Sequence, residues 1–269
     1  MKKYLIIIPI SIILLVFFSW ALLEPYSIQT ESIEIELNNL SLEASQLKIV
    51  QVSDIHFKGF TTIPRKISEE LIRLKPDYLF ITGDIVNWDL KKLDDLKEFL
   101  VKISAIKDME IFGVFGNHEY LSKKFPSIEK ILNESEIYFL HNESVLLKEG
   151  INLVGVDDPH LDLDNLSEAS KNIDLNLPTI ILAHSPEIFG EVLIENSLTL
   201  VGHTHGGQLN IPFVRNILFL KKGNRTYKSG LFKEDRRYLY INRGVGTTFL
   251  PMRLNAPPEI TIISLIGAK

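Results

Sequence analysis

Short apolar runs separated by amphipathic segments fill the chain from residue 47 to its end. The runs have the length of strands and cover residues 47–52, 77–82, 111–115, 151–156, 179–183, 197–201, 238–242 and 260–265. Segments with helical spacing cover residues 67–74, 92–106 and 128–132. Because strands alternate with helices in the first half and dominate the second half, the pattern predicts an α/β core. No linker divides this part of the chain, so we predict one domain over residues 47–269.

The N-terminal stretch has a different pattern. Residues 4–23 carry no charged side chain, and a helix of that length spans about 30 Å, the thickness of a bilayer's hydrocarbon core. The stretch is longer than the apolar core of a cleaved signal peptide, and residues 19–21 form a poor cleavage site. We therefore expect an uncleaved signal anchor, a transmembrane helix within residues 1–24. A cleaved signal peptide is the alternative.

The charges that flank this stretch indicate an orientation. Lys2 and Lys3 precede it and Glu24 follows it, and positive residues tend to stay on the cytoplasmic side. We therefore expect a single pass through the cell's inner membrane, with the main domain outside the cytoplasm. Residues 25–46 form a polar connector, in which alternation over residues 32–37 predicts a half-buried strand at a sheet edge.

Residues that can bind metal ions directly follow five of the predicted strands. In α/β sheets, ligands bind at the carboxyl ends of strands, and chance does not readily place such residues at five ends. The last of these five strands, residues 197–201, is followed by two histidines two residues apart. In extended backbone, side chains at that spacing point to the same side. In chain order the candidate ligands are Asp54, His56, Asp84, Asn117, His184, His203 and His205.

Composition narrows the chemistry. The chain has no cysteine, which excludes disulfides and thiolate sites, so a metal must be held by nitrogen and oxygen. Two carboxylates, one amide and four imidazoles suit two divalent transition metals better than calcium, provided that one carboxylate bridges them. Two metals about 3.5–4 Å apart are the usual arrangement for phosphoryl hydrolysis. The net charge of −5 gives no reason to expect a nucleic-acid partner.

The ordered motifs resemble those of the calcineurin-like metallophosphoesterases over residues 47–269. They read Asp54-x-His56, Gly83-Asp84, Gly116-Asn117-His118-Glu119, His184 and Gly202-His203-Thr204-His205. The resemblance implies an α/β fold with four layers, in which two mixed β-sheets are flanked by helices. It also implies two divalent transition metal ions, with manganese expected first and iron, zinc, cobalt or nickel as alternatives.

The resemblance also implies a role for each motif residue. His118 would not bind metal but would face the substrate phosphate and protonate the leaving group, as a general acid does. Asp84 would bridge the two metals. The remaining ligands would divide between them, Asp54, His56 and His205 on the first metal and Asn117, His184 and His203 on the second.

We therefore expect a membrane-anchored enzyme that hydrolyses a phosphoester or pyrophosphate bond with a metal-activated hydroxide. The N-terminal stretch and the tail at residues 242–260 resemble the membrane-anchored or exported branch of the family. Some members there hydrolyse UDP-2,3-diacylglucosamine, so the substrate is either a phosphate-containing small molecule or a lipid. A membrane-tethered binding module without catalysis is the non-enzymatic alternative. Loss of a ligand or of His118 would indicate it, and all of them are present.

Several other polar residues are interpreted as structural rather than catalytic. His141 and His160 join no motif and are interpreted as loop histidines, and Asp157 and Asp158 as turn or supporting residues. Residues 209–237 combine basic and apolar side chains. This segment is either an apolar hairpin with a solvated basic face or a lip that meets anionic lipid heads or a phosphate-bearing substrate.

Overall fold

The computed structural model describes residues 2–211 and 227–268, without the side chains of residues 2–7, 10 and 13 in the first helix. The helices are α1 (Lys2–Leu23), α2 (Thr62–Leu74), α3 (Leu93–Ser104), α4 (Asn117–Tyr120), α5 (Phe125–Asn133) and α6 (Leu166–Ala169). The strands are β1 (Gln29–Leu37), β2 (Ile49–Val52), β3 (Tyr78–Thr82), β4 (Glu110–Val114), β5 (Tyr138–Phe139), β6 (Glu143–Leu147), β7 (Ile151–Gly155), β8 (Thr179–Leu182), β9 (Ser197–Val201), β10 (Gly230–Glu234), β11 (Arg237–Ile241) and β12 (Glu259–Gly267).

The strands form two mixed sheets. The first has the order β1-β12-β2-β3-β4-β5, in which only the β12–β2 pair is antiparallel. The second has the order β10-β11-β9-β8-β7-β6, with antiparallel pairs at its two edges. In both sheets the central strands are parallel, so their carboxyl ends lie along one edge.

The alternation of side chains along each strand assigns them to different layers. In β3, Tyr78 and Phe80 face the second sheet, where they join Leu153 and Leu200 in a core between the sheets. The intervening residues of β3 face outward and pack under α2, α3 and α5. The outer face of the second sheet is covered by α6 and the short helical turn at Pro186–Gly190. The predicted sandwich of two mixed sheets flanked by helices is therefore confirmed.

The predicted elements agree with the structure. All eight predicted strands form within two residues of their expected bounds, and the three predicted helices appear as α2, α3 and α5. The alternating segment in the connector forms β1, which lies at an edge and pairs in parallel with β12. The division into residues 1–24, 25–46 and 47–269 stays a prediction. Residues 212–226, the middle of the basic and apolar segment, lie outside the described residues.

The predicted transmembrane helix is not confirmed. Helix α1 forms over Lys2–Leu23, but within the residues that the structure describes no helix combines the length and apolar character that crossing a bilayer requires. The side chains of residues 4–7, 10 and 13, which belong to that prediction, lie outside the described residues.

The end of α1 is attached to the main domain by buried hydrogen bonds. The Arg253 backbone N–H donates to the Ala21 carbonyl over 2.9 Å. The buried Glu24 carboxylate accepts the backbone N–H groups of Asn255 and Ala256, at 3.1 and 2.7 Å. These bonds connect the helix to residues 253–256, a loop that also contacts the site described below.

Candidate metal centre

The seven candidate ligands come together where the carboxyl ends of five parallel strands meet. Those after β2, β3 and β4 come from the first sheet, and those after β8 and β9 come from the second. The sandwich thus places donors that are up to about 150 residues apart in sequence within a few ångströms of one another.

One group of donors surrounds the first of two positions. The Nε2 atoms of His56 and His205 are 2.9 Å apart, and Asp54 Oδ1 is 3.3 Å from His205 Nε2 and 3.9 Å from His56 Nε2. All three side chains are buried. Asp54 has a second contact, since its carboxylate accepts the backbone N–H of His203 at 3.0 Å.

A second group lies beside the first. His203 Nδ1 is 3.2 Å from both Asn117 Oδ1 and His184 Nε2. The other ring nitrogen of His184, Nδ1, is 2.9 Å from the Thr82 carbonyl. Because a carbonyl only accepts, Nδ1 carries a proton, and Nε2 is the ring nitrogen that can bind a cation once its own proton is lost.

Asp84 lies between the two groups. Its Oδ2 atom is 3.3 Å from His184 Nε2 and 3.6 Å from His56 Nε2, so one oxygen adjoins both sets of donors. Its other oxygen accepts the backbone N–H of His118 at 2.8 Å. This position is the one that a bridging carboxylate requires.

The donor set fits divalent transition metals. Three overlapping groups have ligand atoms within 4.8 Å of one another, namely Asp54, His56 and His205; His56, Asp84 and His118; and Asp54, Asp84 and His184. Imidazole nitrogens and carboxylate oxygens turned toward a common point are the ligands that manganese, iron and zinc take in proteins. The clusters can therefore hold metal ions, and the donor set does not distinguish among these metals.

The backbone at the site is unusual. Five of the candidate ligands have a left-handed conformation, which non-glycine residues rarely adopt. Neighbouring glycines, which have no side chain, leave space for these ligands. A methyl group on Gly202 would overlap the Ser53 hydroxyl and the Asp54 carboxylate, and one on Gly116 would overlap Asp84. The five, with their φ angles, are Asp54 (50°), His56 (46°), Asp84 (50°), His203 (68°) and His205 (51°).

The site's electrostatics leave two of the histidines neutral and a third protonated. Burial lowers the pKa of His56 well below its usual value and that of His203 to about 3, so both rings are neutral at pH 7. Burial opposes ionisation of Asp84, but His184, His56 and His118 together lower the pKa of Asp84 well below its usual value. The charge of Asp84 in turn raises the pKa of His184 against the effect of burial. Metal binding would displace the proton from His184.

Glu119 connects two of the ligand loops. It is fully buried, and its carboxylate accepts the backbone N–H groups of Asp84, Val86 and Gly116 at 3.0, 2.9 and 2.8 Å. Burial and the charge of Asp84 raise the pKa of Glu119 to about 8, although the three N–H donors favour its charged form. The sequence motif assigned Glu119 no role, and two of its three partners lie more than 30 residues away.

Arg253 is a second supporting residue, and sequence reasoning missed it. Its buried guanidinium donates to the carbonyls of Gly244, Gly246 and Ala256 and lies 3.3 Å from His205 Nδ1. Burial lowers the pKa of Arg253 to about 10, which leaves it charged at pH 7. These bonds hold residues 243–246 against Asp54, whose carbonyl accepts the Gly246 backbone N–H at 2.7 Å. The sequence pattern around Arg253 gave no sign of this contact.

The two histidines outside the motifs, His141 and His160, differ in their distance from the site. His141 pairs with Asp157 at 2.9 Å and lies outside the cavity described below. The His160 ring packs against the candidate ligand His203, with centroids 4.5 Å apart, and its Nδ1 is 3.3 Å from Glu187. The interpretation of His160 as an ordinary loop histidine therefore leaves out its contact with the site.

A cavity of about 330 Å³ opens in front of the two groups of donors. His118 lines it, with its Nε2 atom 3.9 Å from Asp84 Oδ2. The backbone N–H of Trp88 points to His118 Nδ1 at 3.4 Å. In the neutral ring the proton then lies on Nε2.

Comparison with known proteins identifies the family. The family model "Calcineurin-like phosphoesterase" matches residues 47–207. An uncharacterized metallophosphoesterase of Aquifex aeolicus is 32% identical over 91% of this chain and 94% of its own length. The phosphodiesterase YaeI of Escherichia coli is 31% identical over 83% of each chain. UDP-2,3-diacylglucosamine pyrophosphatase LpxG of Chlamydia muridarum is 27% identical over 90% of each.

A solved structure agrees in fold. TT1561 of Thermus thermophilus superimposes with a TM-score of 0.50 at 13% identity, over 74% of this chain and 90% of its own. The chain belongs to the calcineurin-like phosphoesterase family. It is a metallophosphoesterase, a hydrolase of phosphoric ester bonds. The alternative of a binding module without catalysis is not supported, since every candidate ligand and His118 are present.

Gly202→Ala is expected to abolish metal binding, because its methyl group would displace Asp54 and Ser53. Elemental analysis of the purified variant measures the effect. Gly190→Ala is the matched control, since a methyl group there would meet no atom within 4 Å. Normal metal content in the Gly202 variant would contradict the close packing described for this loop.

Asp158→Asn is expected to stabilise the metal-free protein at pH 8 but not below about pH 4. Burial raises the pKa of Asp158 from 3.8 to about 6. The folded protein thus favours the protonated acid, and that stability is lost as the pH rises through the folded pKa. The asparagine variant avoids the loss, so its advantage should grow between pH 4 and 6 to about 3 kcal/mol and then stay constant.

Urea unfolding across this pH range measures the difference. The exposed Asp162→Asn is the control for a change in net charge. An advantage for the Asp158 variant that does not depend on pH would rule out titration of this carboxyl as its cause.

Proposed function

We propose that the protein is a dinuclear enzyme that hydrolyses a phosphoester or pyrophosphate bond. The observation that carries the proposal is the convergence of seven buried or half-buried donor residues. Among them is Asp84, one oxygen of which adjoins both groups of donors. A single divalent cation uses four to six ligands, so seven donors in two groups suit two ions better.

We assign the first ion to Asp54, His56 and His205 and the second to Asn117, His184 and His203, with Asp84 between them. Manganese is our first choice, with iron, zinc, cobalt and nickel as alternatives. When bound, the two cations would lower the pKa of a water molecule and offset the charge of the phosphoryl oxygens. The protein's contribution is to hold these donors in one geometry, which Glu119 and Arg253 support from behind.

His118 is proposed to protonate the leaving group. It lines the cavity, and its Nε2–H is available because Nδ1 faces the Trp88 N–H. Burial lowers the pKa of His118, so the ring would act as a neutral donor whose proton is delivered to the departing oxygen. Its backbone N–H is bonded to Asp84, which fixes the distance of the ring from the proposed bridge.

The substrate has two candidates. A phosphate-containing small molecule is supported by the cavity of about 330 Å³ in front of the two groups of donors. A lipid substrate is supported by the similarity to LpxG over 90% of both chains. We place the main domain outside the cytoplasm, because Lys2 and Lys3 precede the apolar stretch and Glu24 follows it. This location would favour phosphoesters of the cell envelope, because a UDP-linked precursor is made inside the cell.

The purified protein is expected to bind two transition metals per chain and to hydrolyse bis(p-nitrophenyl) phosphate. Elemental analysis counts the metals, and chelation should remove the metals and the activity together. Full activity with at most one metal per chain would exclude the dinuclear mechanism.

His118→Ala is expected to keep both metals and lose about 10²–10⁴-fold in turnover, the usual contribution of a general acid. Asp84→Ala should lose metal and activity together. His141→Ala serves as a histidine control, since that ring lies outside the cavity. Near-normal turnover by the His118 variant would disprove its assigned role.

A reporter enzyme that is active only outside the cytoplasm, fused after Lys269, is expected to be active in intact cells. Failure of the fusion, together with protection of the domain from protease in spheroplasts, would place the domain in the cytoplasm. The UDP-linked lipid would then become the first substrate candidate.

A further inference from the structure

The cavity in front of the candidate metal centre has two kinds of wall. Its floor consists of the polar residues already described, including Asp84, Asn117 and His118. Its rim carries three large apolar side chains that are exposed to solvent, Trp88 at 49%, Leu121 at 58% and Phe249 at 76%. Exposed apolar groups collected beside a polar centre are typical of a ligand site.

The rim is held in place by the same elements that carry the site. Trp88 donates its backbone N–H to His118, and Leu121 directly follows α4, which carries Asn117 and His118. The backbone positions of two rim residues are thus fixed relative to the proposed general acid.

The third rim residue is held by Gln208, which is fully buried. The Gln208 Oε1 atom accepts the backbone N–H and the hydroxyl of Thr248, at 3.2 and 3.0 Å. Its Nε2 atom donates to the carbonyls of Leu250 and Met252, at 3.0 and 3.1 Å. Phe249 therefore stays exposed on a loop that four hydrogen bonds fix to a residue three positions after His205.

The chemistry of the rim indicates an apolar occupant. Thr248 and Gln208 use their polar groups on each other and on the loop, and the Thr204 hydroxyl donates to the Lys228 carbonyl. Among the described residues that line the cavity, none is lysine or arginine. Among these residues a second phosphate would find no cation to pair with, whereas an alkyl chain needs no polar partner.

We propose that Trp88, Leu121 and Phe249 form a subsite for an apolar group attached to the phosphate, so that the enzyme acts on amphiphilic phosphoesters. The proposal rests on the proposed function, since the metal centre must hold the phosphate while the rim takes the chain. The chain could belong to a dissolved amphiphile or to a lipid in a bilayer, and the chemistry of the subsite is the same for both.

Binding is tested first with methyl-, butyl- and octylphosphonate, which the enzyme cannot hydrolyse, by calorimetry on the metal-loaded protein. A fully buried methylene strengthens binding by about fourfold. Because the rim is open on one side, we expect octylphosphonate to bind at least about tenfold more tightly than methylphosphonate. Equal affinities across the series would overturn the subsite.

Turnover is tested with the methyl, butyl and octyl esters of p-nitrophenyl phosphate below their micelle concentrations. The ratio of kcat/KM for the octyl ester to that for the methyl ester should exceed about ten in the natural protein. Phe249→Ser and Leu121→Ser should each lower this ratio by at least about threefold. Leu175→Ser is the matched control, since Leu175 is exposed and precedes β8, at the end of the sheet opposite the site.

The outcomes separate the two proposals. Binding that strengthens with chain length while no ester is hydrolysed would keep the subsite and refute the phosphoesterase function. Hydrolysis without dependence on chain length, or ratios that fall equally in the Leu175 control, would refute the subsite alone. Hydrolysis of phosphatidic acid in phosphatidylcholine vesicles, besides the dissolved octyl ester, would identify the bilayer as a source. Hydrolysis of the dissolved ester alone would identify a free amphiphile.

Discussion

The candidate metal centre is built on strained backbone, and the rest of the structure must hold that backbone in place. Five candidate ligands have positive φ angles, and a left-handed conformation costs roughly 1–2 kcal/mol for each non-glycine residue. The sum is comparable with the whole stability of an ordinary domain, about 5–15 kcal/mol. Such strain persists only where the surroundings over-determine it. Two sheets packed face to face supply that support, because each ligand directly follows a buried strand whose position is fixed on both sides.

The strands alone do not fix the ligand loops, and two buried polar residues, Glu119 and Arg253, complete the support. Glu119 accepts N–H groups from the loops after β3 and β4, and Arg253 donates to carbonyls of residues 243–246 and 256. A carboxyl group therefore accepts N–H groups on one side of the site, and a guanidinium donates to carbonyls on the other. Arg253 also contacts His205, and its own backbone N–H bonds to α1, so the N-terminal helix and the metal centre share one connecting residue.

Sequence patterns predicted the parts of this arrangement that follow from local order. The strands were predictable because buried parallel strands are continuous apolar runs, and the ligands because they follow those runs directly. Arg253, Gln208 and the contact of His160 with His203 were not predictable in this way, since each depends on partners 40 or more residues distant. The short strands β5, β6 and β10 were also missed, because β5 has only two residues and β6 and β10 are largely exposed or half-buried.

The distribution of the candidate ligands between the sheets would give bound metals a structural part as well as a chemical one. Asp54, His56, Asp84 and Asn117 follow strands of the first sheet, while His184, His203 and His205 follow strands of the second. Each proposed metal position therefore takes donors from both sheets. Without cations, the raised pKa of His184 places a proton beside Asp84, where it offsets part of the carboxylate charge. A cation there would replace that proton and join the sheets at their carboxyl edge, so metal binding would stabilise the folded sandwich.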